Sequence, residues 1–232
     1  ATAFSQGIRV WTTGNVTNYN DMFTSATGMN ATYVGTPGYS STPQPTFFNQ
    51  EELEITWTDV PADGTITLGI PLSGSSGLSS TFDIIQWNYA APNPVTNNPS
   101  YLVPNTGGTT TVTARIAVFT GSFSTLGGTW TNGTYVTSVI CKNEIINTTW
   151  ALNGVDSMLE GFVNCSGLTT VPSYLPTTVT NTSSMFNGAS VFNQNIGSWV
   201  VSSVTDMSSM FNGASAFNQN IGSWVVSSVT DM

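Results

Sequence analysis

A near-identical internal repeat constrains this chain more than any other feature. Residues 185–207 read MFNGASVFNQNIGSWVVSSVTDM and residues 210–232 read MFNGASAFNQNIGSWVVSSVTDM, differing only at Val191 against Ala216. The period of 25 carries Met185 to Met210, Trp199 to Trp224 and Asp206 to Asp231. A degenerate copy lies upstream at period 24, where Val155, Met158, Phe162, Cys165, Ser166 and Leu168 match Val179, Thr182, Phe186, Ala189, Ser190 and Phe192. Trp150 stands five residues before Val155, as Trp199 stands before Val204. A further copy opens the chain: Phe4, Ile8, Trp11, Val16, Met22 and Phe23 fall on Phe192, Ile196, Trp199, Val204, Met210 and Phe211. Repeats therefore flank an inserted region. A unit of 24–25 residues cannot bury its own apolar face, so neighbouring units must cover it, as in a solenoid.

Within a repeat, VTDMSSMFNG places Asp206 (Asn18 in the first copy) to cap a short helix holding Met207, Met210 and Phe211. FNQNIGSWVV suits a short strand with a turn at Gly197 or Gly222. The recurring Trp11, Trp150, Phe186, Trp199, Met210, Phe211 and Trp224 are expected to stack coil on coil as core. Asn193, Gln194 and Asn195 are expected to pair with Asn218, Gln219 and Asn220 as amide ladders.

The insert reads differently. Residues 31–50 are rich in Pro, Gly, Ser and Thr and suit a linker. Period-2 alternation then begins. Leu53, Ile55 and Trp57 oppose Glu52, Glu54 and Thr56. Ile66, Leu68 and Ile70 follow, then Val112, Ala114, Ile116 and Val118. Such segments are strands with one buried face. Turns are expected at 61–64 and 73–77, and several short strands over this length favour a β-sandwich with Trp57 and Trp87 in its core. The expected layout is an N-terminal repeat-like segment at 1–30, the linker, a β-sandwich at 51–125, a transition at 126–154 and a solenoid at 155–232. The fold class is mainly β with short helices.

Charge narrows the partners. Lys and Arg number three against twelve acidic residues, and histidine is absent. A net charge of -9 without a basic cluster argues against nucleic acid and anionic membrane surfaces. No apolar run approaches the roughly 20 residues that span a bilayer. The chain begins at Ala1 rather than Met and reads as a processed or excerpted chain. A surface of Ser, Thr, Asn and Gln in place of charge is common in exported proteins. Asn-X-Ser/Thr sequons at Asn15, Asn30, Asn132, Asn147, Asn164 and Asn181 are possible glycosylation sites.

The stretch VTDMSSMFNGASAFNQNIGSW resembles the BspA-type leucine-rich repeat, a mycoplasma lipoprotein-associated repeat family found in bacterial, protist and viral surface proteins. Its usual Cys is kept at Cys165 and replaced by Ala189 and Ala214. The resemblance covers 155–232 and extends to 1–30. ITWTDVPADGTITLGIPLSGS, FDIIQWN and TTTVTARIAVFTGSF follow the strand order of a PKD-like, immunoglobulin-like module, with Asn88 where that module has the first Gly of WGDG. The resemblance implies an exported protein that attaches cells to matrix, hosts or one another, on a cell or virion surface.

Chemistry is sparse. Without histidine there is no Ser-His-Asp, Cys-His or His-zinc site. Glu51, Glu52 and Glu54 form the densest acidic cluster and would be the carboxylates of a glycosidase, but alternation puts Glu52 and Glu54 on the wet face of a strand. Asp59, Asp63 and Asp83 are candidates for a structural calcium, although no spaced Asp/Asn loop is present. No catalytic, cofactor or other metal residue is assigned. Cys141 and Cys165 lie 24 residues apart. If Cys141 belongs to the first coil, they sit on adjacent rungs about 4.8 Å apart, within disulfide reach. The alternative is two buried thiols.

The sequence ends four residues into a new repeat, and Ala1 matches Ala189. An open coil leads to the expectation that the N-terminal repeat of one subunit stacks head-to-tail on the last coil of the next, building a filament. The other classes are a monomeric adhesin for host glycan or protein and, least supported, a glycoside-active enzyme.

Overall fold

In the computed structural model, residues 52–76, 84–88, 93–117, 122–142 and 154–232 are described. The N-terminal repeat, the linker, Trp11, Trp150, Asn15, Asn30, Asn147, Glu51 and Asp83 lie outside them.

The described chain is mainly β, without an α-helix among these residues. β1 (Glu52–Pro61), β4 (Ile84–Trp87), β5 (Asn93–Pro94), β7 (Thr109–Ala117) and β9 (Val136–Lys142) form one sheet in the order β5-β4-β7-β1-β9. β2 (Thr67–Gly69) pairs with β6 (Ser100–Leu102), and β3 (Leu72–Ser73) with β8 (Thr125–Leu126). All these pairings are antiparallel. The alternation sets which face turns inward: Leu53, Ile55, Trp57, Val112, Ala114 and Ile116 are fully buried. A shift in register between Trp57 and Val60 bends β1, with Asp59 in the left-handed region at φ 56°.

Glu54 departs from the expected wet face. It is buried and pairs across the strands with Arg115, whose Nε lies 3.3 Å from Oε2. Period 2 separates the two faces of a strand, but on this second, partly exposed face Glu54 lies against Arg115, so the carboxylate is shielded by a neighbouring cation and not simply solvated.

Residues 155–178, 179–203 and 204–228 form three successive coils, and 229–232 begin another. Ser157, Asn181, Asp206 and Asp231 bridge in parallel, one per coil. The expected short helix is replaced by a run of tight turns. Each coil holds two left-handed residues four apart: Glu160 and Asn164, Ser184 and Gly188, Ser209 and Gly213. A right-handed helix cannot pass through them. The backbone divides its donors instead. Met185, Asn187 and Ala189 donate three residues back, to Thr182, Ser184 and Phe186, while Thr182, Ser184, Phe186 and Gly188 donate to Asp206, Ser208, Met210 and Asn212 of the next coil. Asp206 keeps its capping chemistry, since its Oδ1 accepts from the Ser208 N–H at 2.9 Å.

The stack begins inside the sheets. Thr125 of β8 bridges Ser157, and Ser138 of β9 bridges Thr170, both in parallel and both 32 residues apart. At this offset Trp130 falls over Phe162, with centroids 6.3 Å apart, and its Nε1 donates to Gly161 O at 2.7 Å. Gly133 falls where later coils carry Cys165, Ala189 and Ala214. Residues 124–138 are thus a coil-shaped edge of the sheet unit, and one core runs through both parts.

Candidate functional site

The coil-to-coil interface is the most regular surface of the molecule. Phe162, Phe186 and Phe211 stack in one column with centroids 5.6 Å apart at each step. Phe192 and Phe217 form a second column at 5.8 Å with nearly parallel rings. The two columns meet within each coil, at 4.2 Å for Phe186–Phe192 and 4.3 Å for Phe211–Phe217. Trp199 Nε1 donates to Pro172 O and Trp224 Nε1 to Ile196 O, each at 3.1 Å and each reaching the preceding coil. The structure therefore places Phe186, Trp199 and Met210 in the buried core, with Phe211 and Trp224 partly buried against it.

Of the three expected amide pairs, Asn193–Asn218 is bonded, while Gln194–Gln219 and Asn195–Asn220 are not. Asn218 N donates to Asn193 Oδ1 at 2.9 Å, and Gln219 Nε2 to Asn193 O at 2.9 Å. Gln194 exchanges two bonds with the backbone of Val171. Asn195 and Asn220 stay exposed and bond within their own coils, each accepting from the glycine two residues on.

Glycines set how closely the coils approach. A Cβ on Gly197 would lie 2.5 Å from Asn220 O in the next coil, whereas one on Gly222 would meet only Asn220 Oδ1 at 3.1 Å. Gly197→Ala is expected to cost about 1–3 kcal/mol by forcing coils apart. Gly222→Ala stays within about 0.5 kcal/mol of the parent. Urea melts of the two variants check this; equal losses would mean that the coils do not press together at this glycine.

On the outward face of coil 204–228, Phe211, Phe217, Ile221 and Trp224 are only partly buried, while Phe186, Phe192, Ile196 and Trp199 are buried one coil earlier. A cleft of about 590 Å³ there is lined by Met207, Met210, Phe211, Ile221, Trp224 and Met232, among others.

The cysteines do not pair. Cys141 and Cys165 are both buried thiols. The Cys165 sulfur lies 3.3 Å from where a Gly133 Cβ would stand. Cys141 sits on β9, which starts at Val136, so five residues of extended strand carry it roughly 17 Å further along, beyond disulfide reach. The 24-residue spacing misled because the coil edge at 124–138 is offset by 32. Burial pushes the Cys165 thiol well above its ordinary range. The native chain is expected to leave both thiols unreacted with a thiol reagent and to titrate two after denaturation without reductant.

The remaining candidates are dispersed. Asn132 and Asn164 are exposed, and Asn132 Nδ2 donates to Thr67 O at 2.8 Å. Asn181 is half-buried within the bridge column, its Oδ1 accepting from Ser183 N at 2.8 Å. Asp63 is tied to the Thr65 hydroxyl and N–H, which hold its carboxyl below the usual range, and Asp59 forms the β1 bulge. Among the described residues no three His, Cys, Asp or Glu are grouped to hold a metal, and no helix is long and apolar enough to cross a membrane. Trp57 and Trp87 are core, with centroids 5.5 Å apart. Trp130 was missed by sequence reasoning; its signal is the Trp-x2-Gly spacing, which puts Gly133 three residues after Trp130 as Cys165 follows Phe162.

No curated protein and no solved structure matches the chain. A family described as "Mycoplasma protein of unknown function, DUF285" matches residues 1–36 and 135–232, more than half of the sequence and the same two regions that carry the repeat. With the stacked coils falling inside the matched residues, the chain belongs to the DUF285 family.

Proposed function

We propose that this protein is an extracellular structural and adhesion protein of a cell or virion surface, built from an immunoglobulin/PKD-like β-sandwich and a BspA-type leucine-rich-repeat solenoid, and that its copies join head-to-tail into a filament. The observation that carries the reading is the translational identity of the coils: the outward face of coil 204–228 repeats, ring for ring, the face that coil 179–203 buries. A face of this kind is complementary to any coil of the same phase, and heterologous contact through it generates an open polymer. The family match at residues 1–36 supports a second region of the same repeat earlier in the sequence than the β strands. Electron micrographs of the purified 232-residue chain are expected to show regular fibres. Dispersed single particles at every concentration overturn the filament.

The exposed polar wall favours a second reading. Thr180, Thr205 and Thr230 are exposed, as are Asn193 and Asn218, each row recurring coil by coil with little charge. A monomeric adhesin would use this wall to hold a host glycan or protein, and saturable binding on a glycan array by monomers selects it. Neither reading assigns catalysis; Glu54 faces Arg115 inside the sheet.

A further inference from the structure

We infer that the β unit carries a binding site for a neutral saccharide, in the cleft where residues 69–73, 98–100 and 127–131 meet. The site is built by residues of the sheets and not by the polar wall of the coils, and it stands whether or not copies of the chain assemble.

The three segments converge because 69–73 is bonded to both of the others. The Ile70 N–H donates to Pro99 O at 3.0 Å and the Asn98 N–H to Leu72 O at 2.9 Å. The Gly69 N–H donates to Thr131 O at 3.3 Å and the Gly127 N–H to Pro71 O at 2.9 Å. The third segment is pinned in turn to the first coil, where the Gly128 N–H donates to Glu160 O at 3.4 Å. Between the segments lies a cleft of about 460 Å³, the size of a small-molecule pocket. Its frame is held by backbone bonds before any ligand arrives, so binding orders little of the chain.

Five side chains supply its polar lining: Ser73, Asn98, Ser100, Thr129 and Thr131. Each is a hydroxyl or an amide, able to donate and to accept. Among the described residues none of these five side chains is bonded to another protein group. The buried Ile70 and Pro71 add an apolar surface. No lining residue is charged. A phosphate, carboxylate or ammonium ligand would lose water here without meeting an opposite charge. A peptide added as a strand needs free backbone groups, but Gly69, Ile70, Leu72, Asn98 and Gly127 already give their N–H groups to backbone carbonyls of the fold. What remains free is a set of neutral side-chain donors and acceptors beside a small apolar surface. A sugar ring presents the matching set, with vicinal hydroxyls at its edge and C–H groups on its face.

Two positions make the site testable without disturbing the fold. Asn98 is left-handed at φ 46°, a conformation that glycine adopts freely, so Asn98→Gly removes the amide and keeps the backbone. Thr131 is exposed, and Thr131→Val removes its hydroxyl while keeping its shape.

The test is an array of neutral and acidic glycans probed with the full chain, followed by calorimetry with a retained neutral glycan. The parent chain is expected to retain neutral glycans. Asn98→Gly and Thr131→Val each weaken binding roughly fivefold, and the two combined with Ser100→Ala weaken it roughly a hundredfold. Thr205→Val, on the exposed wall of the coils, leaves binding unchanged. Melting curves of the two single variants are expected to overlay that of the parent. Binding that falls with Thr205→Val and not with the cleft variants overturns the cleft and moves the ligand to the wall of the coils. Retention of acidic glycans alone overturns the neutral ligand. An array that retains nothing overturns the saccharide site and leaves the filament reading standing.

Discussion

Phe186→Ala is expected to lower unfolding stability by about 3–5 kcal/mol, the range for deleting a fully packed aromatic side chain. The ring is fully buried and touches both neighbouring coils as well as its own: Phe162 and Phe211 at 5.6 Å, Phe192 at 4.2 Å and Trp199 at 6.0 Å between centroids. Truncating it opens a void where three coils share one aromatic contact, and packed rings above and below cannot close in without pulling the interlocked backbone bonds out of register. Phe211→Ala is the internal control, because that ring is covered on one side only and its loss is expected to be clearly smaller. Urea denaturation of both variants decides the matter. If the two cost the same, burial does not propagate between coils and the stack is not one cooperative core.

Arg115→Leu is expected to be comparably damaging, about 3–5 kcal/mol, because it leaves the Glu54 carboxylate inside the sheet without its cation. The side chains are 17% and 9% exposed, so water screens the pair weakly. Replacing both residues with leucine should recover most of the loss, since a buried ion pair exchanged for well-packed apolar groups is near neutral. A double variant no more stable than Arg115→Leu alone would show that the loss comes from packing of the arginine stem and not from the stranded charge. Denaturant slopes must stay constant across the set for the comparison to report stability.

The repeat was legible because identical spacing places identical rings, and a ring column needs only phase. The helix expectation failed for a physical reason: Met207, Met210 and Phe211 sit at helical spacing, but tight turns with left-handed Ser209 and Gly213 deliver the same spacing with half the donors pointing to a neighbour. The capping chemistry of Asp206 was correctly read although nothing helical follows it. Alternation named the faces of β1 and missed the burial of Glu54, because what covers a sheet is a tertiary property. The coil edge at 124–138 was hidden by its offset of 32 and by tryptophan standing in the phenylalanine column. The disulfide expectation depended on that same offset.

The coil edge carried by β8 and β9 has a consequence for how such chains vary. Because, among the described residues, each coil bonds to the coils beside it and the first coil meets the sheets at the Thr125–Ser157 and Ser138–Thr170 bridges, a tandem duplication further along inserts a whole unit without altering those upstream contacts. Each added unit lengthens the molecule by about 4.8 Å. Copy number thus becomes a graduated ruler, and reach from the β unit can be adjusted by recombination alone.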